Sequence, residues 1–149
     1  MPGYALRCLV LTACFSGTLA TYAEDDAAHE RHELMEDVGD AAKPVGAMLK
    51  GEAPYDAAAL QESMATFLEA SEDFGKLFPP GSEGGADSRA APAVWDDRAG
   101  FDEALRDWHD AINAAIASNP ATLEAARPVV GPVFNACKNC HDGYRLEED

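Results

Sequence analysis

Cys137, Cys140 and His141 stand together in the run Cys137-Lys138-Asn139-Cys140-His141. Two thiols three positions apart, followed directly by an imidazole, form the pattern by which haem is attached covalently to protein. The thiols can close thioether bonds on the two vinyl groups of one porphyrin, and the imidazole then falls within reach of its iron. Three other chemistries use similar residues. A zinc site normally wants four Cys or His ligands. The remaining cysteines, Cys8 and Cys14, lie in a leader-like segment, so zinc would have to combine His141 with one of His29, His32 or His109, which lack finger-like spacing. A thioredoxin-like redox pair expects a preceding strand and a βαβ setting, and the sequence offers neither. A Cys137–Cys140 disulfide suits an oxidising compartment, but it leaves His141 as a coincidence. The run therefore predicts a c-type haem protein.

Helices must position that run. After the leader, apolar residues recur at helical rather than strand spacing. The first segment, about Asp26 to Lys50, places Leu34, Met35, Val38, Ala42, Val45, Met48 and Leu49 on one face, and Gly51 stops it. The second runs from Asp56, a natural N-cap, to about Phe78 and carries Leu60, Met64, Phe67, Leu68, Phe74 and Leu77. Residues Pro79 to Pro92, rich in Gly, Pro, Ser and Ala, read as a long connection without a core of its own. Asp96 or Asp97 caps a third segment reaching Ser118, with Phe101, Leu105, Trp108, Ile112 and Ile116 in register. Asn119-Pro120 breaks it, and a fourth segment, Ala121 to about Leu146, contains the haem run.

Four amphipathic segments with mostly short joins predict an all-α, antiparallel up-down-up-down four-helix bundle with a pocket between facing helices. In that topology the fourth helix ends at the pole where the first begins, and the two are lateral neighbours. Met35 then faces the haem, whereas Met48 lies thirteen residues further on, about 20 Å at 1.5 Å per residue, and Met64 belongs to the far pole. Arg31, one turn before Met35, has two open readings: a partner of a haem propionate, or a solvated arginine pairing with Glu30 or Glu33. Phe67, Phe74 and Phe101 are expected to wall the pocket. His32 falls off the Met35 face by spacing, so no distal histidine is expected, and an enzyme is not.

The 149 residues make one domain around a single core. Residues 1–23 read as a secretory signal: Arg7 is the only charge, an apolar stretch runs from Cys8 to Ala20, and small residues precede Glu24-Asp25-Asp26, with cleavage after Ala23 or Ala20. The stretch is too short and too broken for a membrane span. Leu11-Thr12-Ala13-Cys14 resembles a lipobox, which would make a lipidated Cys14 the first mature residue and tie the protein to a membrane. Its apolar run is brief, so a soluble mature domain over 24–149 is favoured. Without the leader the chain keeps 27 acidic residues against 10 basic ones, a formal charge of −17. Such a surface repels nucleic acid and anionic lipid and favours basic partners at low salt.

The chain resembles the cytochrome c′ family, the class II c-type cytochromes, over its whole mature length. The resemblance rests on Arg31-x-x-x-Met35, on Gly46-Ala47-Met48-Leu49-Lys50-Gly51-Glu52-Ala53-Pro54-Tyr55-Asp56, on Pro92-Ala93-Val94-Trp95, and on Cys137-Lys138-Asn139-Cys140-His141-Asp142-Gly143-Tyr144-Arg145. It implies a four-helix bundle in the bacterial periplasm, often a homodimer, with one haem c held by Cys137 and Cys140 and His141 as proximal ligand. It also implies Arg31 near the propionates, Arg145 one turn beyond the proximal histidine, and Met35 at the distal position. Pro128, Gly131 and Pro132 depart from the family's continuous last helix and predict a kink or restart near Gly131, with Pro44 bending helix one. Two functions stay open. If Met35 ligates iron, the protein is a low-spin electron carrier serving redox partner proteins. If Met35 only packs over the haem, it is a five-coordinate, high-spin protein that binds nitric oxide or carbon monoxide.

Overall fold

The computed structural model describes residues 18–85 and 88–146, with backbone alone over 18–25. The leader read in 1–23 and the lipidation alternative at Cys14 lie outside this description, apart from the backbone of 18–23. Helix α1 spans Thr18–Lys50, and its end follows from Gly51, whose φ of 77° only glycine adopts freely. Gly51 N–H donates to Met48 O at 3.1 Å and Glu52 N–H to Ala47 O at 2.9 Å. This paired closure satisfies the last helical carbonyls. Helix α2, Ala57–Asp73, starts where the Asp56 carboxylate accepts from Ala58 N and Ala59 N, which satisfies donors otherwise orphaned in the first turn. It tightens into a 3₁₀ turn over Phe74–Leu77.

A one-turn helix α3, Ala93–Asp96, precedes α4, Arg98–Ser118, and Asp97 caps α4 by accepting from Gly100 N. Asn119, at φ 40°, ends α4. Thr122 then caps α5, Leu123–Tyr144, by accepting from Ala125 N. The short turns 51–56 and 119–122 meet at one pole, where Tyr55 Oη donates to Pro120 O at 2.6 Å. At the other pole lie the start of α1, the 78–97 connection and the end of α5. The four long helices α1, α2, α4 and α5 thus alternate in direction as expected of an up-down-up-down bundle.

Neither α1 nor α5 is interrupted by its prolines. Helix α5 runs through Pro128 and Pro132 without a restart at Gly131, and α1 runs through Pro44. All three prolines are exposed, and so are Asp40, Glu124 and Pro128, the residues four positions earlier whose carbonyls lose an amide donor. The interior-proline cost of about 3 kcal/mol is met on the opposite face of α5, where Val130 and Val133 are fully buried. Each such side chain contributes about 1.5–3 kcal/mol.

Two clusters form the core. The larger one fills the bundle with Val38, Val45, Met48, Leu60, Met64, Phe67, Trp108, Ile112, Val130 and Val133. The smaller one, Phe74, Phe78, Val94 and Phe101, sits under the connection. Its rings meet edge to face, with Phe78 at 5.0 Å from Phe74 and 4.9 Å from Phe101, a geometry favoured by the ring quadrupoles. Leu34 and Met35 pack against both clusters. Helix α2 packs between α1 and α4, and α4 packs closely on α5, while α1 and α5 scarcely touch.

Asp56→Ala removes both cap acceptors at the start of α2 and should cost about 1 kcal/mol. Thermal unfolding checks this as a Tm lowered by several degrees, with Asp56→Asn recovering most of the loss.

Candidate functional site

The space left between α1 and α5 is a cavity of about 520 Å³. Helix α5 presents Cys137, Cys140, His141 and Tyr144 to it, positions one helical turn apart that share a face. Helix α1 faces them with Arg31, His32, Met35, Val38 and Ala42, and Phe67, Phe74, Phe101, Trp108 and Phe134 complete the walls. Phe67, Phe74 and Phe101 therefore line the pocket, as the helical register suggested. Met35, half-buried, lines it from the helix opposite His141. Met48 and Met64 are buried in the bundle core and do not.

Both cysteines are free thiols. Burial, reinforced by the neighbouring Cys140, pushes the Cys137 thiol up to about 11, against an opposing pull from a backbone N–H and the Trp108 N–H. Burial likewise raises Cys140. At neutral pH both are protonated thiols. The His141 imidazole is lowered first by burial and next by Arg145, with Asp142 opposing. It is therefore held neutral, the form that can give a lone pair to a metal.

Arg31 is 6 % exposed. Its Nη1 donates to Leu77 O at 2.8 Å and Ser82 Oγ at 3.2 Å, and its Nη2 to Ser82 O at 3.0 Å and Ser88 Oγ at 3.3 Å. The guanidinium carbon also lies 4.9 Å from the centre of the Phe78 ring and 6.0 Å from that of Trp95, a cation–π arrangement. Burial lowers its pKa, with Glu83 opposing. Neither sequence reading anticipated these bonds: Arg31 is not solvated, and Glu30 and Glu33 are not its partners here. It lines the pocket while tethering the 77–88 segment. Among the described residues of 79–92 the polar Ser82 is buried, at 2 % exposure, but no apolar side chain is, so the connection has no hydrophobic core of its own and is held by these polar bonds.

The pocket reverses the sign of the surface. Arg31, Arg89 and Arg145 line it with His32 and His141, and Glu36 is the only acid among its described lining residues, in a chain of formal charge −16. Arg145 is exposed at the mouth, and its backbone N–H donates to His141 O at 3.2 Å. His32 is placed differently from its expected position. It reaches the pocket rim, where Nε2 lies 3.6 Å from Glu36 Oε1. His29 pairs with Glu33 at 3.4 Å, and His109 Nδ1 meets Ser71 Oγ at 2.9 Å. Among the described residues no three His, Cys, Asp or Glu side chains gather to hold a metal, so the zinc alternative finds no constellation there.

The end of α5 is locked to the connection. Ala91 N–H donates to Tyr144 O at 2.9 Å and Leu146 N–H to Arg89 O at 2.8 Å. Tyr144 Oη donates to Asp97 Oδ2 at 3.2 Å. Gly100 passes so close that a Cβ there would overlap both the Asp97 carboxylate and the Tyr144 hydroxyl. Sequence reasoning did not single out Tyr144, Arg89 or Gly100. Tyr144 carried a usable signal, its place one turn beyond Cys140, but Arg89 carried none.

This donor set fits a covalently tethered haem. Two thiols and a neutral imidazole share one face, aromatic walls match a flat apolar ring, and arginines match its carboxylates. Comparisons agree. The sequence model of the family described as Cytochrome C′ matches residues 26–145. The chain is similar to cytochrome c′ of Rhodopseudomonas palustris, 37 % identical over 128 residues covering 85 % of this chain and 86 % of that one. It is also similar to cytochrome c-556 of the same organism, 36 % identical over 146 residues covering 94 % and 93 %. The solved structure of R. palustris cytochrome c′ superposes with a TM-score of 0.79 at 35 % identity, covering 83 % of this chain and 98 % of that one. A nitric oxide complex of a cytochrome c prime variant from Alcaligenes xylosoxidans superposes at 0.73 with 31 % identity, covering 83 % and 97 %.

Arg31→Ala leaves the Leu77 and Ser82 carbonyls without a buried donor and should cost about 3 kcal/mol. Lysine cannot reproduce the planar fork, so Arg31→Lys should recover less than half. Urea unfolding measures both, and limited proteolysis should show new cleavage within 79–92.

Proposed function

The chain belongs to the cytochrome c′ family, and on that premise we propose that it is a periplasmic electron carrier with His141 and Met35 as axial ligands of its haem c. The family binds one covalent haem c with iron, and that iron supplies one-electron chemistry by cycling between ferric and ferrous. Cys137 and Cys140 would hold the group through two thioethers from one face of α5. His141, kept neutral by burial, would provide the nitrogen ligand from the same helix. The observation carrying the reading is that Met35 and His141 line the same pocket from opposite helices. A thioether from Met35 would raise the reduction potential of that iron. Arg31 and Arg145 supply positive charge for the propionates. Burial of Arg31 strengthens its share of that interaction, whereas Arg145 at the mouth is screened by solvent. The similarity to a cytochrome c-556 over 94 % of the chain supports the same reading.

A second reading has its own observation. Met35 packs against both core clusters, so its side chain could serve as a spacer over a five-coordinate iron. The relatives include a cytochrome c prime whose solved structure is a nitric oxide complex. Under that reading the open side takes nitric oxide or carbon monoxide. Export to the periplasm, a basic redox partner attracted by the acidic surface, and a homodimer complete the proposal. N-terminal sequencing of the secreted protein, expected to begin at Glu24 or Thr21, tests export against a lipidated Cys14.

The deciding experiment is the visible spectrum of the oxidised and reduced protein with and without carbon monoxide. The electron carrier should be low-spin, with a weak far-red sulfur-to-iron band and no response to carbon monoxide. Met35→Leu should then convert it to a high-spin form that binds carbon monoxide. A wild-type protein already high-spin, and unchanged in spin state by Met35→Leu, overturns Met35 ligation and makes gas binding the function. His141→Ala should abolish the normal ligation under either reading.

A further inference from the structure

Trp108 sits on the seam of α4 in register with Phe101, Leu105 and Ile112, and it is 5 % exposed. Its ring belongs to the bundle core, yet its Nε1–H is buried and completes no hydrogen bond to a protein group. The other indole differs, for Trp95 Nε1 donates to Pro79 O at 3.3 Å. A buried donor left unpaired costs about 1–3 kcal/mol. Phenylalanine would fill the same seam without that cost, so the N–H calls for an acceptor.

The acceptor available is sulfur. Trp108 and Cys137 line the same cavity from the tightly packed pair α4 and α5. The indole N–H also acts on Cys137, where it favours the charged sulfur against the larger opposing effect of burial. As a thiol, Cys137 has its own hydrogen, and its sulfur is a weak and poorly directed acceptor. As a thioether it has lost that hydrogen and offers lone pairs alone. The incomplete bond of the free thiol is thus suited to completion once Cys137 carries the porphyrin.

We propose that Trp108 is a positioning residue whose indole N–H donates to the Cys137 sulfur when that sulfur bears the haem. The inference rests on the proposed covalent haem at Cys137 and adds a residue outside the Cys-x-x-Cys-His run. The bond fixes the direction in which the Cys137 side chain leaves α5, and so the edge of the porphyrin nearest α4. It also draws electron density from one of the two thioethers and leaves the Cys140 sulfur untouched.

Ultraviolet resonance Raman spectra of the haem-loaded protein test this through the indole band that reports N–H hydrogen bonding. Subtracting the Trp108→Phe spectrum isolates Trp108 from Trp95. The expected result is a Trp108 band in the hydrogen-bonded range. In Cys137→Ala, loaded through Cys140 alone, it should shift to the unbonded range while the Trp95 band stays in place. A wild-type Trp108 band in the unbonded range overturns the proposal, as does a bonded band that Cys137→Ala leaves unmoved. Should the alanine variant fail to load, isotopic labelling of the cysteine Cβ in wild-type protein replaces it. The thioether C–S stretch of one cysteine should then shift between wild type and Trp108→Phe, and no shift overturns the proposal. A pyridine haemochrome assay on the wild type separates the two levels of failure: absence of covalent haem removes the functional reading itself, whereas covalent haem with an unbonded indole removes only the role of Trp108.

Discussion

A guanidinium buried in the wall of an apolar pocket is the demand around which the haem pole is organised. Arg31 cannot shed its charge, because an arginine side chain stays protonated at any pH the fold survives. The chain between α2 and α4 therefore brings Leu77, Ser82 and Ser88 to it, and Phe78 and Trp95 present their ring faces. Those contacts give shape to a segment whose composition alone would leave it loose. The shaped segment then holds the end of α5 through Ala91 and Leu146, which is where Cys140, His141 and Tyr144 stand. One charge on α1 thus reaches Cys140, His141 and Tyr144 on α5 with little direct packing of the two helices.

That indirect route explains how the pocket stays open. If α1 and α5 packed as closely as α4 and α5 do, the apolar faces of Met35 and Cys137 would close on each other. The bundle is pinned at the far pole by Tyr55 and Pro120 and along its length by the core through α2 and α4. At the near pole the tethered connection does the spanning instead. Leu34 and Met35 join the two core clusters, so Met35, which lines the pocket, is itself held by packing from both sides.

Charge divides the molecule in two. The chain as a whole is strongly acidic, with a formal charge of −16. The pocket is lined by Arg31 and Arg145, with Glu36 the one acid among its described lining residues, which suits an anionic group held within. A cofactor with two carboxylates would meet these two guanidinium groups, so an acidic exterior and a site that takes an anion are compatible. The sign of the whole chain described the exterior correctly and said nothing of the site.

The local features were legible in the sequence because each depends on neighbouring residues. Asp56, Gly51, Asp97, Asn119 and Thr122 set helix ends through hydrogen bonds and dihedral preferences within a few positions. The spacing of Cys137, Cys140 and His141 fixes a shared helical face, and the apolar period orders the bundle and puts Met35, rather than Met48 or Met64, beside the site. What only the tertiary structure decided involves groups far apart in the chain. Arg31 meets residues about fifty positions away, His32 reaches the rim despite its spacing, and Trp108 and Cys137 line one cavity from different helices. The continuity of α5 through Pro128 and Pro132 belongs with these. A proline's cost can be read locally, but which carbonyls face water and which valines are buried opposite them depends on where the rest of the bundle lies.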